Sequence, residues 1–245
     1  MKNVAASGTK WVDVAPGRFP GWVASFAVRH GDPVTVLPPA AEASPDATSS
    51  PGTVTFRAAD GATAQCHPPF AGSFRWPAGA GQVATDPAEL AAAVAAHAVA
   101  PRAVGVLLVR LGGYAAGVFT GYPPALADAK TGSRLVHGRS AAGGWSQQRF
   151  ARRREKQASE AVRAAADTAV AVFGRWAGHG GALDAVVLGG DKRTAAELRD
   201  DPRLAPYLAL ATARFLTVPD PRRAVLEATP AQFTAVRVKL SEPSS

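Results

Sequence analysis

The sequence predicts an α/β (α+β) protein, in which a mixed β-sheet covered by helices follows a smaller N-terminal α+β unit. Short apolar runs of strand type alternate with helical patterns, and glycine pairs punctuate the second half of the chain. Strands that alternate with helices imply a mixed sheet with helices packed on it. We therefore expect an N-terminal unit over residues 1–100 and a second unit over residues 101–241.

The N-terminal unit is predicted to hold a helix, a hairpin and a second helix. Apolar residues recur at helical spacing over residues 19–27, and a short strand is expected at 34–37. The turn dipeptide Asp60-Gly61 predicts a hairpin. Residues 86–89, Asp-Pro-Ala-Glu, have the cap, first-turn proline and acidic residue that open a helix. The tryptophans expected to pack within this unit are Trp11, Trp22 and Trp76.

The second unit is predicted to begin with three strands. The apolar run Val104 to Leu111 suits a buried strand, and Gly112-Gly113 turns the chain into a hairpin partner at 114–120. A third strand is expected over Ser133 to His137. A loop with three glycines then leads into a long helix, for which Gly174 is the predicted end or break.

The remainder of the second unit is predicted to alternate between strands and helices. Residues 185–188 form a strand that ends in a Gly-Gly turn, and Thr194 to Glu197 has capping-box spacing for the next helix. A last short strand is expected at 215–218. Residues 221–228 and 230–240 are predicted to be helical.

Positive charge is concentrated in one segment. The chain carries a net charge of +8, and residues 130–163 hold nine Lys and Arg against two Glu, so this segment accounts for +7. Such a field attracts polyanions, with an affinity that falls steeply with salt. Charge alone leaves open a second interpretation, in which the segment is a solvated basic face of a helix.

Several classes of function are disfavoured by composition. The longest apolar stretches are too short to cross a bilayer, and residues 1–10 lack the apolar core of a secretion signal. The single cysteine, Cys66, allows no internal disulfide, and the five histidines lack metal-ligand spacing. We therefore expect a cytoplasmic protein without a metal, cofactor or membrane partner, acting as a monomer.

The segment most informative about chemistry runs from His137 to Lys156. Gly143 and Gly144 allow backbone conformations closed to other residues and a close approach to a ligand. Gln147 and Gln148 offer amide donors and acceptors but cannot act as acid or base. The cations that could contact phosphates are Arg139, Arg149, Arg152, Arg153 and Lys156. This pattern suits a flexible loop that is held at RNA by the positive charge of the helix after it. Local composition also allows a plain loop before a helix.

The same segment resembles a known family. Gly143-Gly144, followed by Arg-Phe-Ala-Arg at residues 149–152 and a basic helix, is similar to the middle domain of the eukaryotic and archaeal class-one peptide release factors. Their signature is Gly-Gly-Gln-Ser-x-x-Arg-Phe-Ala-Arg. The predicted order of hairpin, third strand, glycine loop and long helix is also similar, over about residues 103–233. The resemblance implies a release-factor middle-domain-like fold for the second unit.

One departure from that signature bears on the catalytic residue. Trp145 stands where the release factors have their glutamine. The arrangement Gly144-Trp145-Ser146-Gln147 instead resembles the Gly-x-x-Gln of the Vms-type release-factor-like hydrolases of ribosome quality control, in which the glutamine sits slightly later. The resemblance therefore points to Gln147 as the catalytic residue, with Gln148 as the alternate.

The resemblance also implies partners and a mechanism. The loop would enter the peptidyl transferase centre, among large-subunit rRNA and beside the ester of peptidyl-tRNA. There Gln147, by backbone amide or side chain, would position a water and stabilise the developing oxyanion, with Gly143 and Gly144 shaping the loop. Trp145 and Ser146 would contact RNA. Trp145 either stacks on a base or folds back onto its own domain.

We therefore expect a peptidyl-tRNA hydrolase, a release factor that rescues stalled ribosomes. Residues 1–100 show no Asn-Ile-Lys-Ser-type codon-reading motif, so release should be independent of a stop codon. Two alternatives stay open. One is an rRNA- or tRNA-binding factor without catalysis, and the other is a nuclease acting near the tRNA 3′ end.

Overall fold

The computed structural model of the chain describes residues 9–37, 52–77, 86–110, 113–133 and 146–243, with side chains in the last range from Ser159 onward. The strands are β1 Thr9–Val14, β2 Thr35–Leu37, β3 Val54–Arg57, β4 Thr63–His67, β5 Arg102–Arg110, β6 Gly113–Gly121, β7 Ala125–Ser133, β8 Ala185–Gly190, β9 Ala211–Leu216 and β10 Val236–Ser241. The helices are α1 Phe19–His30, α2 Pro87–Val99, α3 Ser146–Gly178, α4 Lys192–Glu197, α5 Ala205–Leu208, α6 Arg223–Glu227 and α7 Pro230–Phe233. Single 3-10 turns lie at Pro16–Arg18, Ala71–Ser73, Leu198–Asp200 and Pro202–Leu204.

Tertiary contacts divide the chain into two units. The first comprises Met1–Ala100 with Thr234–Ser245, and the second comprises Pro101–Phe233. Each contains a five-stranded sheet with helices, which confirms the predicted α/β class. Among the described residues, no helix is long and apolar enough to span a membrane.

The first unit is an antiparallel sheet with two helices packed on one face. Its strand order is β1-β10-β4-β3-β2. Phe19, Val23 and Phe26 from α1 and Leu90 and Val94 from α2 share a core with one face of the sheet. The fully buried strand residues of that core include Phe56, Ala64, Cys66, Val236 and Val238. Burial in this apolar layer raises the pKa of the Cys66 thiol, which keeps it protonated and unreactive.

Local signals in the first unit are confirmed. Asp86 caps α2, because its side chain accepts a hydrogen bond from the Ala88 backbone N–H at 2.9 Å. The predicted hairpin joins β3 to β4, and Gly61 in its turn has a φ of +92°, which favours glycine. Helix α1 and strand β2 also lie where the sequence predicted them.

The second unit is a mixed sheet with strand order β7-β6-β5-β8-β9. Strands β5, β6 and β7 form an antiparallel meander, whereas β8 and β9 add in parallel to β5. Residues Val104 to Val109 of β5 are all buried, and apart from Gly105 their side chains alternate between the two covered faces of the sheet. The strand is therefore a continuous apolar run. Leu107 and Val109 face α3. The opposite face of the sheet includes Phe119 and Phe233, whose ring centroids are 5.6 Å apart.

The last strand corrects the sequence prediction at the C-terminus. Residues 230–240 were predicted to be a helix of the second unit, but α7 is short and β10 pairs with β1 and β4 in the first sheet. The segment Val236 to Leu240 alternates apolar and charged residues with the period of two that a half-covered strand requires. Its partner β1 was not predicted, because its pairing joins residues more than 200 positions apart along the chain.

Three further details differ from the predictions for the second unit. The third strand, β7, ends at Ser133 where the prediction had it begin, and residues 134–137 lie outside the described residues. Helix α3 continues through Gly174 to Gly178. The cap of α4 is Asp191 rather than Thr194, since its carboxylate accepts both the backbone N–H and the hydroxyl of Thr194, each at 2.8 Å.

Candidate functional site

The long helix α3 is held on the sheet by an alanine-rich stripe. Its buried residues from Ser159 onward are Ala161, Ala165, Ala166, Thr168, Ala169, Val172 and Phe173. Small side chains let the helix approach the strands closely. Gly105 of β5 serves the same purpose, because a Cβ there would lie 3.1 Å from the Phe173 ring and 2.9 Å from Leu183.

Polar contacts tie the C-terminal part of α3 to its neighbours. The Arg175 guanidinium donates two hydrogen bonds of 3.0 Å to the Asp128 carboxylate on β7, which raises the pKa of Arg175. The Trp176 indole N–H donates to the Ala182 carbonyl at 3.2 Å. These contacts fix the end of the helix that is distant from the diglycine.

A second ion-pair group joins the middle of α3 to the 3-10 turn at Pro202–Leu204. Arg203 lies 2.8 Å from the Asp167 carboxylate on the helix and 2.6 Å from that of Asp201. Arg203 lowers the pKa of Asp201, and Arg163 acts in the same direction. Exposed ion pairs contribute little to the free energy of unfolding. We therefore assign this group the role of holding the exposed face of α3 in position.

The sheet edge from which the candidate segment departs is defined by strand register. Ser133 at the end of β7 lies opposite Gly113, which also pairs with Arg110 at the end of β5. The neighbouring Val109 lies opposite Gly190 at the end of β8. The chain therefore enters residues 134–145 from the edge at which the parallel strands end, where functional loops of α/β sheets commonly lie.

Basic side chains line the same edge. Arg110 donates from Nη1 to the Val218 carbonyl at 2.7 Å and lies 3.9 Å from Asp220. Lys192 and Arg193, in the first turn of α4, are exposed. Hydrogen bonds from Thr194 lower the pKa of the adjacent Asp191, so its carboxylate stays charged. Sequence reasoning missed Arg110, whose position at a strand end carries no recognisable motif.

Most of the predicted site residues cannot be placed by side chain. Arg139, Gly143, Gly144 and Trp145 lie outside the described residues. For seven others the helical backbone is described and the side chain is not, namely Ser146, Gln147, Gln148, Arg149, Arg152, Arg153 and Lys156. In the described part of the chain, no group of His, Cys, Asp and Glu could hold a metal ion.

The backbone nevertheless changes one expectation about the glutamines. The sequence suggested that Gln147 belongs to a loop, but α3 begins at Ser146, so Gln147 and Gln148 lie in its first turn. No glycine or proline occurs between Ser146 and Phe173, so the helix can start directly after the Gly-Gly-Trp sequence. The N–H groups of a first turn have no partner within the helix and carry its positive dipole end.

Gly190 ends β8 in a conformation that other residues resist. Its φ is +107°, and a Cβ there would lie only 2.0 Å from the Val109 carbonyl oxygen. Gly190→Ala should therefore lower the free energy of unfolding by about 2 kcal/mol or more. Gly174→Ala is the control, because its Cβ would meet nothing within 4 Å and α3 should gain about 0.5–1 kcal/mol. Urea denaturation would measure both, and equal midpoints would contradict the argument.

A comparison with known protein families identifies the family to which the second unit belongs. The family model for the Actinobacteria/chloroflexi VLRF1 release factor matches residues 102–239, which is more than half of the chain and includes the whole segment from His137 to Lys156. The chain belongs to this release factor family. The match confirms the resemblance to release factors drawn from the Gly-Gly and Arg-Phe-Ala-Arg sequences. No curated protein sequence matches the chain.

Two solved structures are similar to this family member at low sequence identity. One is the archaeal translation termination factor aRF1, with 17% identity and a TM-score of 0.39, covering 54% of this chain and 36% of that one. The other is the Vms1 mitochondrial localization core, with 9% identity and a TM-score of 0.38, covering 76% of this chain and 75% of that one. The chain thus spans about a third of the length of aRF1. The family assignment rests on the sequence match over residues 102–239.

Proposed function

We propose that the protein is a cytoplasmic peptidyl-tRNA hydrolase that releases nascent chains from stalled ribosomes without reading a stop codon. The observation that carries the proposal is membership of a release factor family over residues 102–239. Its partners are then the large-subunit rRNA of the peptidyl transferase centre and the peptidyl-tRNA. The absence of a codon-reading motif in residues 1–100 supports independence from a stop codon.

The length of α3 supports delivery of the diglycine segment to a distant target. From Ser146 to Phe173 the helix backbone runs about 40 Å at 1.5 Å per residue. Phe173 packs beside Gly105, beyond which β5 extends only about 17 Å. A helix aligned with β5 would run roughly 20 Å beyond the sheet edge on its N-terminal side. An arm of this length suits insertion into a narrow RNA cavity.

In the proposed mechanism, Gln147 acts at the ester that joins the peptide to the terminal adenosine of tRNA. Water attacks the ester carbonyl carbon, the bond to the ribose oxygen breaks, and that oxygen takes up a proton as the peptide leaves with a carboxyl group. Gln147 positions the water and, by amide donation, stabilises the oxyanion of the intermediate. The first turn of α3 adds N–H groups that have no partner within the helix. Gln148 is the alternate donor.

In this proposal the basic residues bind RNA. Positions 152 and 153 each lie three or four residues from both 149 and 156, so the four positions share one side of α3, which continues to exposed Glu160 and Arg163. A stripe of cations on one side of a helix matches the phosphates of rRNA. Arg139, Trp145 and Ser146 would contact RNA beside the tRNA end, with Trp145 stacking on a base.

The proposed activity can be tested on ribosomes stalled at a sense codon with labelled peptidyl-tRNA. We expect the purified chain to release free peptide and to leave the tRNA 3′ end intact with its terminal adenosine. Sequencing of that 3′ end separates ester hydrolysis from phosphodiester cleavage by a nuclease. Peptide that stays bound to tRNA, or a shortened tRNA, would overturn the proposal.

One observation favours a second candidate function. Trp145 replaces the glutamine of the release-factor signature, and a segment without that glutamine can occupy the site without cleaving the ester. The protein would then be a ribosome-binding factor without hydrolytic activity. Co-sedimentation with ribosomes, together with no peptide release in the assay above, would distinguish this function from the first.

A further inference from the structure

The sheet of the first unit has a second face, opposite α1 and α2. Because side chains alternate along a strand, register places one row of residues on each face. Trp11 lies opposite Lys239, which lies opposite Gln65 and then Thr55. The core residues of these strands, such as Val238 and Cys66, belong to the intervening rows. We call this second face the open face, and its residues are Thr9, Trp11, Asp13, Thr35, Leu37, Thr55, Arg57, Thr63, Gln65, His67, Arg237, Lys239 and Ser241.

The open face carries Trp11, which the sequence predicted to be a core or N-terminal packing residue. Trp11 is 46% exposed. The Arg237 guanidinium lies 4.5 Å from the centroid of its ring, and the His67 ring centroid lies 5.4 Å away. Tryptophan is enriched at interfaces because its ring joins a large apolar surface to an N–H donor, and on this face the ring lies between a guanidinium and an imidazole, as in a binding surface.

The charge of the open face is positive. Arg57 and Arg237 are exposed and Lys239 is half-buried, whereas Asp13 is the one acidic residue in these five described strand segments on this face. Partial burial, with Arg237 and Lys239 nearby, lowers the pKa of His67, so its imidazole is neutral at pH 7. A neutral imidazole offers a flat ring beside Trp11 without adding to the local repulsion.

We propose that the open face binds single-stranded RNA, with Trp11 as a stacking surface and Arg57, Arg237 and Lys239 as phosphate contacts. Aromatic and guanidinium planes on a sheet are a recurring platform for unpaired bases, and every base offers a ring face to them. Five strands at about 4.8 Å spacing give a width of about 19 Å, which accommodates an extended chain of a few nucleotides. The positive charge of the open face is complementary to a polyanion such as RNA.

This binding is separate from the hydrolytic site, so its test does not depend on peptide release. The probe is a fluorescein-labelled 12-nucleotide oligouridine, measured by anisotropy with the full chain at several salt concentrations. All variants are made in a background with Arg149, Arg152, Arg153 and Lys156 changed to Gln, which removes the other RNA-binding segment. The variants are Trp11→Ala, Trp11→Phe and the pair Arg237→Gln with Lys239→Gln. Arg29→Gln, on exposed Arg29 of α1, is the control for the loss of a positive charge outside the open face.

We expect Trp11→Ala to weaken binding about tenfold and Trp11→Phe to retain most of the affinity. The Arg237 and Lys239 pair should lower the slope of log affinity against log salt by about 1.4, as expected for two lost phosphate contacts. Arg29→Gln should change the affinity less than twofold. Protection of Cys66 from thiol reagents reports that each variant keeps the sheet, because Cys66 is fully buried within it. If the Trp11 and the Arg237–Lys239 variants bind RNA as the Arg29 control does, the proposal is wrong.

Discussion

Replacing Gln147 with alanine is expected to slow peptide release by about a hundredfold or more, while binding to the ribosome is unchanged. Losing one preorganised donor from an oxyanion site typically costs a factor of 10² to 10³ in rate. The substitution removes no charge, and alanine is a better helix former than glutamine, so α3 should still begin at Ser146. The measurement is the single-turnover rate of release from sense-codon-stalled complexes at saturating protein.

Two substitutions on the same helix make this result specific. Gln157→Ala is the matched control, since it makes the same change about three turns further along α3 and should release peptide at the wild-type rate. Gln148→Ala decides between the two adjacent glutamines. A full rate for Gln147→Ala together with a large loss for Gln148→Ala would transfer the catalytic role to Gln148. Wild-type rates for both would remove the side-chain amides from the mechanism.

Local signals allowed much of the fold to be predicted from the sequence. The Asp-Pro-Ala-Glu cap of α2, the Asp60-Gly61 hairpin and the apolar run of β5 each specify an element through neighbouring residues. The signal for each of these elements also depends little on residues elsewhere in the chain. Elements with such self-contained signals were placed within a few residues of their observed bounds.

The errors share a different physical origin, since they involve elements defined by distant partners. Strand β1 is stabilised by β10 at the other end of the chain, and neither forms a local pair. Strand β7 is an edge strand with many small and polar residues, so its sequence lacks the apolar signal of β5. Trp11 was predicted to be a core or N-terminal packing residue, and only the register of β1 places it on the open face.

For the candidate site, the sequence predicts a segment of the chain, but it does not predict how the residues of the site are arranged in space. Gly143, Gly144 and Gln147 are proposed through the resemblance to a motif, which indicates chemistry but gives no distances. Arg110 and the exposed pair Lys192 and Arg193 reach the same sheet edge only because β5, β7 and β8 end together there. Periodicity cannot reveal which strand ends are neighbours, because this depends on strand order.

Neutralising the basic stripe should produce a defect of a different kind from the loss of Gln147. Changing Arg149, Arg152, Arg153 and Lys156 to Gln is expected to weaken ribosome binding about a hundredfold at moderate salt. It should also lower the slope of log affinity against log salt by about three, since each lost phosphate contact removes roughly 0.7 to 0.9. The matched control changes the exposed residues Arg18, Arg29, Arg199 and Arg222 to Gln. Both variants lose four charges from +8 and so have the same net charge of +4.

The two kinds of defect separate binding from chemistry. A variant that has lost only phosphate contacts should recover peptide release when protein is in excess or when salt is lowered, because its catalytic step is intact. Gln147→Ala should recover under neither condition, since the interaction it lacks forms in the transition state. If the stripe variant and the charge-matched control lose affinity equally, attraction is a property of total charge, and α3 has no specific role in gripping RNA.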